Sequence, residues 1–151
     1  MKADYFNNSL MPMLCPGVTD KWYEVARTKE RSLFKKLDIF VYLSDVHLNT
    51  FKLLYVSIDD INRRMTKCYH GKFVIRGLKN YLIIRNALWR KKFLILDYDE
   101  SAGIISLVNK RKSKCWILSK KLPYDKVALD KILASAEKQK VNINNIDFFY
   151  I

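Results

Sequence analysis

The sequence predicts an all-β protein with one helix. The expected architecture is an eight-stranded antiparallel up-and-down β-barrel (a calyx), followed by a C-terminal α-helix and a short final strand. Three observations carry this. Eight segments rich in β-branched and aromatic residues follow one another at intervals of roughly 8–16 residues. Their connections are too short for crossover helices, so neighbours must be antiparallel and the chain must meander. After the eighth segment the apolar period changes from that of a strand to that of a helix. Eight meandering strands lose their exposed edges by closing on themselves, with an interior wide enough for one small ligand.

The predicted strands, in order, are Trp22–Thr28, Leu37–Ser44, Phe51–Ile58, Lys67–Arg76, Tyr81–Arg85, Phe93–Tyr98, Gly103–Val108 and Cys115–Ser119. Each is bounded by polar turn residues. Leu129, Ile132, Leu133 and Ala136 then fall at i, i+3, i+4 and i+7, one face of a helix. Pro123 suits its approach or first turn, and Asp125 suits its positive N-terminus. Lys126, Asp130, Lys131, Glu137 and Lys138 cover the opposite, solvated face, so the apolar stripe is a seam docked on the barrel wall. Residues 146–151 make the last strand. Residues 1–19 form a lead-in segment, and residues 20–151 a single barrel domain with no repeats and no linker.

Composition sets limits on function. The 151 residues are enough for one domain that needs no metal or disulfide staple. Half are apolar or aromatic and only 4 are Gly and 3 Pro, which excludes a disordered or low-complexity chain. No apolar run approaches the ~20 residues of a membrane-spanning helix. The net charge of +13 favours an anionic partner without choosing among nucleic acid, a membrane surface and a small molecule. Cys15, Cys68 and Cys115 have no paired spacing, and with His47 and His70 far apart no zinc set is formed. A Cys15–Cys115 disulfide stays open for an exported protein. Residues 1–14 lack the apolar core of a signal peptide, and Leu14 lacks the small side chain that precedes a lipoprotein cysteine. The expected location is therefore a cytosol, or an exported state reached after a leader was removed.

Three segments, in order, resemble the lipocalin family, particularly its bacterial lipocalin and apolipoprotein D branch. Trp22-Tyr23-Glu24-Val25-Ala26-Arg27 is similar to the family's opening Gly-x-Trp-Tyr-Glu-(Ile/Val)-Ala-Arg strand. Leu94-Ile95-Leu96-Asp97-Tyr98-Asp99 is similar to its middle strand and acidic turn. Trp116-Ile117-Leu118-Ser119-Lys120, followed by Pro123, resembles the Trp-Ile-Leu-Ser-Arg-x-Pro segment before the family's helix. The resemblance runs from about Trp22 to the end. It departs at Asp20, where the family has Gly, in Pro16-Gly17-Val18-Thr19, where a short helix is compressed, and at Lys120, where the family has Arg. Lys120 is still able to set a cation over the Trp22 ring at the barrel floor.

The resemblance implies a ligand-binding interior. With Trp22 facing in, Glu24 and Ala26 follow, and the lining implied for the other strands is Phe40, Tyr42, Tyr55, Phe73, Ile75, Ile83, Arg85, Ile105, Trp116 and Leu118. These aromatics suit an amphiphile with an apolar tail, and equally a solid core; a one-residue slip in register inverts any strand's assignment. Arg85, turned inward near the mouth, would fix a carboxylate or phosphate.

The odd-numbered connections of the meander lie together at the mouth. They bring Lys29, Arg31, Lys35 and Lys36, then Arg63 and Arg64, then Arg90, Lys91 and Lys92, then Lys110, Arg111, Lys112 and Lys114 to one rim, with Asp45, Asp97, Asp99 and Glu100 at the other. A basic mouth raises the local concentration and on-rate of an anion.

The expected function is transport or sequestration of a small anionic amphiphile: a fatty acid, lysophospholipid or eicosanoid-like lipid. The alternative is an intracellular sponge for a polar anion such as a nucleotide messenger. Nucleic-acid binding, suggested by Trp89 beside Arg90-Lys91-Lys92, comes third because no nucleic-acid motif is present. The basic rim also suits contact with an anionic membrane. No cofactor or metal is expected, and the chain would act as a monomer or dimer. There is no Ser-His-Asp set, no phosphate loop and no Cys in Leu37–Ser44 to serve as the nucleophile of the family's isomerases, so an enzyme is not expected. Cys68, on the predicted fourth strand, has a position that could face the cavity, but a buried structural thiol is a commoner outcome than a reactive one.

Overall fold

The computed structural model describes residues 20–30 and 36–150. The lead-in segment with Cys15, and Arg31 and Lys35 of the mouth, lie outside the described residues. The strands are β1 (Asp20–Thr28), β2 (Lys36–His47), β3 (Thr50–Asp59), β4 (Arg64–Arg76), β5 (Lys79–Arg85), β6 (Arg90–Asp99), β7 (Ile104–Asn109) and β8 (Cys115–Ser119). Helix α1 (Lys126–Lys138) and β9 (Ile146–Phe148) follow. From β1 to β8 every strand pairs with its sequence neighbour, and β1 also pairs with β8, which closes the antiparallel ring as expected. Residues Asp20–Tyr23 of β1 pair with β2, and Ala26–Thr28 pair with β9. β9 thus takes the side of β1 that β2 leaves free, outside the ring.

Two buried clusters divide the chain between the inside and the outside of this ring. The inner one contains Trp22, Leu43, Phe51, Phe73, Leu82 and Ile105 among others. The outer one packs Val25, Ile104, Val108 and Ile117 against Ala128, Leu129, Ile132 and Ala136 of α1, which is the seam expected from the helical stripe. Asp125 caps the helix, its side chain accepting from the Ala128 N–H at 3.1 Å. Cys115 is a free thiol in this outer cluster, where burial pushes its pKa up to about 11.

The floor is built as the sequence suggested. The Lys120 Nζ lies 5.0 Å from the centre of the buried Trp22 ring. Gly103, at φ +67°, lets the chain turn close to Lys120: its carbonyl accepts from the Lys120 N–H at 2.8 Å. Higher in the wall, Gly71 pairs with Phe51, whose ring lies over it in the space a side chain on Gly71 would fill. Gly71→Ala should therefore lower stability by about 1–3 kcal/mol, the usual cost of overpacking, as read by chemical denaturation. An unchanged midpoint would show that the Phe51 ring moves aside freely.

Candidate functional site

Residues on a strand alternate between the two faces of the sheet, so the pairing register decides what lines the barrel. On β1, Trp22 and Glu24 point inward. Between Glu24 and Ala26 the pairing with β8 shifts: Glu24 faces Leu118, yet Ala26 faces Ile117. Such a bulge breaks the alternation by one residue. Val25 and Ala26 consequently both join the outer cluster beneath α1. Arg27, opposite Trp116, turns inward in the place where alternation alone puts Ala26.

The bulge thereby sets a carboxylate and a guanidinium on one buried stretch of wall. Glu24 is 1 % exposed and its Oε1 has no hydrogen-bond partner; the Nε of the buried Arg27 also has none. The Arg27 Nη2 reaches Glu30 at 3.5 Å, and its guanidinium lies 5.7 Å from the Phe149 ring centre. Burial raises Glu24 from 4.5 to about 7, partly offset by Arg27 and Lys36 and reinforced by Glu30. Burial and then the Glu24 charge hold the Tyr55 phenol well above its ordinary range. Towards the mouth, Trp89 packs on Tyr69 at 5.2 Å and carries the Lys91 Nζ 4.9 Å from its ring centre. Phe93 meets Trp116 edge-on at 5.1 Å. The Lys36 Nζ lies 5.9 Å from the Tyr55 ring. The interior is apolar below, polar and cationic at mid-height, and aromatic near the mouth.

Seven of the lining residues named from sequence belong to this interior: Glu24, Tyr55, Phe73, Ile75, Ile105, Trp116 and Leu118. Five do not. Ala26 is displaced by the bulge. On β2 the inward residues are Val41 and Leu43, so Phe40 and Tyr42 face outward, stacked edge-on and capped by the Lys21 Nζ, 4.2 Å from the Phe40 ring centre. On β5 the inward residues are Leu82 and Ile84, so Ile83 and Arg85 lie on the outer wall. Both errors have one cause: these strands are apolar on both faces, and alternation gives no sign of which face is inside. The structure adds Arg27, Phe51, Leu53, Tyr69, Phe93 and Tyr98 to the lining. The consecutive apolar pair Val25-Ala26, which interrupts the polar alternation of β1, was the available signal for Arg27.

The basic residues are dispersed more widely than a rim. Arg90, Lys91 and Lys92 belong to β6 rather than to a loop, because pairing runs out to Arg85–Arg90. Asn86 closes that short hairpin, its Oδ1 accepting from the N–H groups of Leu88 and Trp89. Arg90 and Lys92 accordingly lie on the outer wall, while Lys91 turns in. Arg63 is held by Asp59 at 2.9 Å, Lys29 lies 3.9 Å from Asp147, and the Lys112 Nζ donates to the Gln139 carbonyl. Arg64, Lys110, Arg111 and Lys114 are exposed near the mouth. Cys68 is exposed as well, not in the cavity. Among the described residues no group of His, Cys, Asp or Glu could hold a metal ion, and no helix is long and apolar enough to cross a membrane.

Comparison with solved structures places the fold among lipocalins. Lobster apocrustacyanin A1 superposes with a TM-score of 0.62 at 13% identity, over 85% of this chain and 74% of that one. The siderocalin Ex-FABP gives 0.65 at 11% identity, over 88% and 93%. The cockroach allergen Per a 4 gives 0.64 at 11% identity, over 89% and 88%. Neither a family model nor a curated protein matches the sequence.

The Glu24 carboxyl makes stability depend on pH. Its folded pKa of about 7 stands above the unfolded value of 4.5, so between the two the folded state holds the extra proton. Stability should fall as pH rises from 4.5 towards 7 and stay reduced above that, a loss of a few kcal/mol at most. Glu24→Gln should flatten this slope in melting temperature measured against pH. Parallel wild-type and variant curves would contradict a strained, buried Glu24.

Proposed function

We propose that the barrel binds one small amphiphile, apolar tail down and anionic head at mid-height, and so transports or sequesters a fatty acid, lysophospholipid or eicosanoid-like lipid. The observation that carries this reading is Arg27: a buried cation with an unpartnered Nε, set between an apolar lower barrel and an aromatic mouth. A buried guanidinium leaves a donor unsatisfied at a cost of about 1–3 kcal/mol, which a carboxylate or phosphate removes. Below it, Leu43, Phe51, Leu53, Phe73 and Leu82 offer a surface suited to an alkyl chain. Lys36 and Lys91, which reach inward at the mouth, attract the same charge. The siderocalin Ex-FABP, of similar fold, is described as working through dual ligand specificities, which supports a barrel of this shape as a ligand site. The apolar lower half disfavours the alternative, a wholly polar metabolite held in the same cavity.

Displacement of a fluorescent fatty acid tests the reading. Wild type should bind, more weakly in high salt, and Arg27→Met should lose about ten- to a hundredfold in affinity. An anionic head beside Arg27 also raises the Glu24 pKa further, so binding should take up a proton and tighten as pH falls from about 8 to about 6. The reading fails if no anionic amphiphile competes, or if Arg27→Met binds as well as wild type. Native mass spectrometry separates the alternative: a co-purified phosphorylated metabolite in place of a lipid would favour it.

A further inference from the structure

The strongest concentration of charge is on the outside of the barrel. A depression of about 690 Å³ on the outer wall of β3–β6 is lined by Lys52, His70, Lys72, Arg76, Arg85 and Arg90, with Val74 and Ile83 beneath them and no acidic residue in the lining. The register explains the grouping. His70 pairs with Arg85, Arg85 with Arg90, Lys72 with Ile83, and Ile83 with Lys92, all on the outward face. Neighbouring strands are about 4.8 Å apart and same-face residues along a strand about 6.8 Å. Several full positive charges therefore stand on a grid of roughly phosphate-to-phosphate dimensions.

Two features set this apart from an ordinary solvated face. Arg85 and Arg90 are directly cross-strand, an arrangement that destabilises a sheet when like charges meet. No ion pair among the described residues engages Lys72, Arg76, Arg85 or Arg90. Second, the cations continue into an adjoining depression of about 200 Å³ lined by Lys79, Lys92, Lys110 and Lys112 beside Tyr81. Desolvation, and then the fields of Arg76, Arg90 and Lys110, lower the Lys92 pKa. A sequence that leaves like charges gathered without relief is one that meets counter-charge elsewhere.

We infer that this outer-wall depression is a second binding site, separate from the barrel interior, for a compact polyanion bearing two or more phosphate groups. Its shape and lining favour this ligand over larger anions. The lining has no exposed Phe, Tyr or Trp ring for a nucleobase to stack on: Phe51 is buried under Gly71, and the exposed imidazole of His70 is a much smaller platform. A flat bilayer would bridge the depression rather than fill it, whereas a polyphosphorylated headgroup or a free polyphosphate enters it. The shared chemistry is a cluster of phosphates within reach of Arg85, Arg90 and Lys72, with Arg able to bind each group bidentately.

Isothermal titration with inorganic tripolyphosphate tests the site at low and physiological salt. Wild type should bind one equivalent, and Arg85→Glu/Arg90→Glu should weaken binding about tenfold or more. Lys121→Glu/Lys126→Glu, on exposed positions away from the depression, makes the same change in net charge and should alter affinity by about twofold at most. If the double variant does not fold, as judged by circular dichroism, the exposed Lys72→Glu carries the same expectation. Co-sedimentation with phosphatidylcholine vesicles containing either phosphatidylinositol bisphosphate or charge-matched phosphatidylserine distinguishes the sources. Selective pelleting with the bisphosphate, competed by tripolyphosphate, identifies a lipid headgroup; tripolyphosphate binding without pelleting identifies a free polyphosphate. Equal loss in both charge-reversal variants, equal pelleting with phosphatidylserine, or no stoichiometric binding overturns the inference.

Discussion

One irregularity in pairing, the bulge between Glu24 and Ala26, governs what this barrel is. β1 has three partners, β8 along one side and β2 then β9 along the other, and it must also present an apolar surface to α1. Strict alternation cannot meet those demands with the sequence Trp-Tyr-Glu-Val-Ala-Arg. The bulge gives two adjacent apolar residues, Val25 and Ala26, to the helix seam and turns Arg27 inward. The same step that docks the helix therefore introduces a cation to the interior beside Glu24. A second shift, between Ile95 and Asp97 on β6, performs the equivalent task at the other side of the same helix seam: Leu96 goes to the outer cluster and Tyr98 comes in over Trp22.

The distribution of charge follows from the same geometry. A net charge of +13 concentrated in loops would describe a basic entrance. Pairing carried to the ends of the hairpins changes that picture, because a cation drawn into a strand must choose a face. Lys91 faces in, whereas Arg85, Arg90 and Lys92 face out beside Lys72 and Arg76. Part of the excess is absorbed by Asp59, Asp147 and a helix-end carbonyl. What remains is divided between a few inward cations, an exposed mouth and a basic outer wall.

Much of the fold was legible because a meander has few alternatives. Short connections force antiparallel neighbours, and the helical stripe Leu129, Ile132, Leu133 and Ala136 admits one docking face. Three motifs in order located the floor pair Trp22 and Lys120 and the strands on either side of it. The site was half legible. β4, whose outward face carries Arg64, Thr66, His70 and Lys72, reveals its register, and its Phe73 and Ile75 lie in the inner cluster; Tyr55 of β3 lies there too, although β3 is largely apolar on both faces. β2 and β5 do not reveal theirs, because Phe40 and Ile83 are buried on the outside and look like core from the sequence. Arg27 was hidden by the bulge, and the outer-wall depression by the assumption that cations near a turn belong to the turn.

The central claim is that Arg27 holds the head of a ligand whose tail descends into the apolar lower barrel. A crystal structure with a terminally brominated fatty acid addresses it directly. The carboxylate should lie within hydrogen-bonding reach of Arg27, about 2.7–3.2 Å, with anomalous scattering from bromine beside Phe51 and Phe73. Bromine located outside the ring, or a carboxylate at the mouth with the Arg27 Nε still unpartnered, would contradict it.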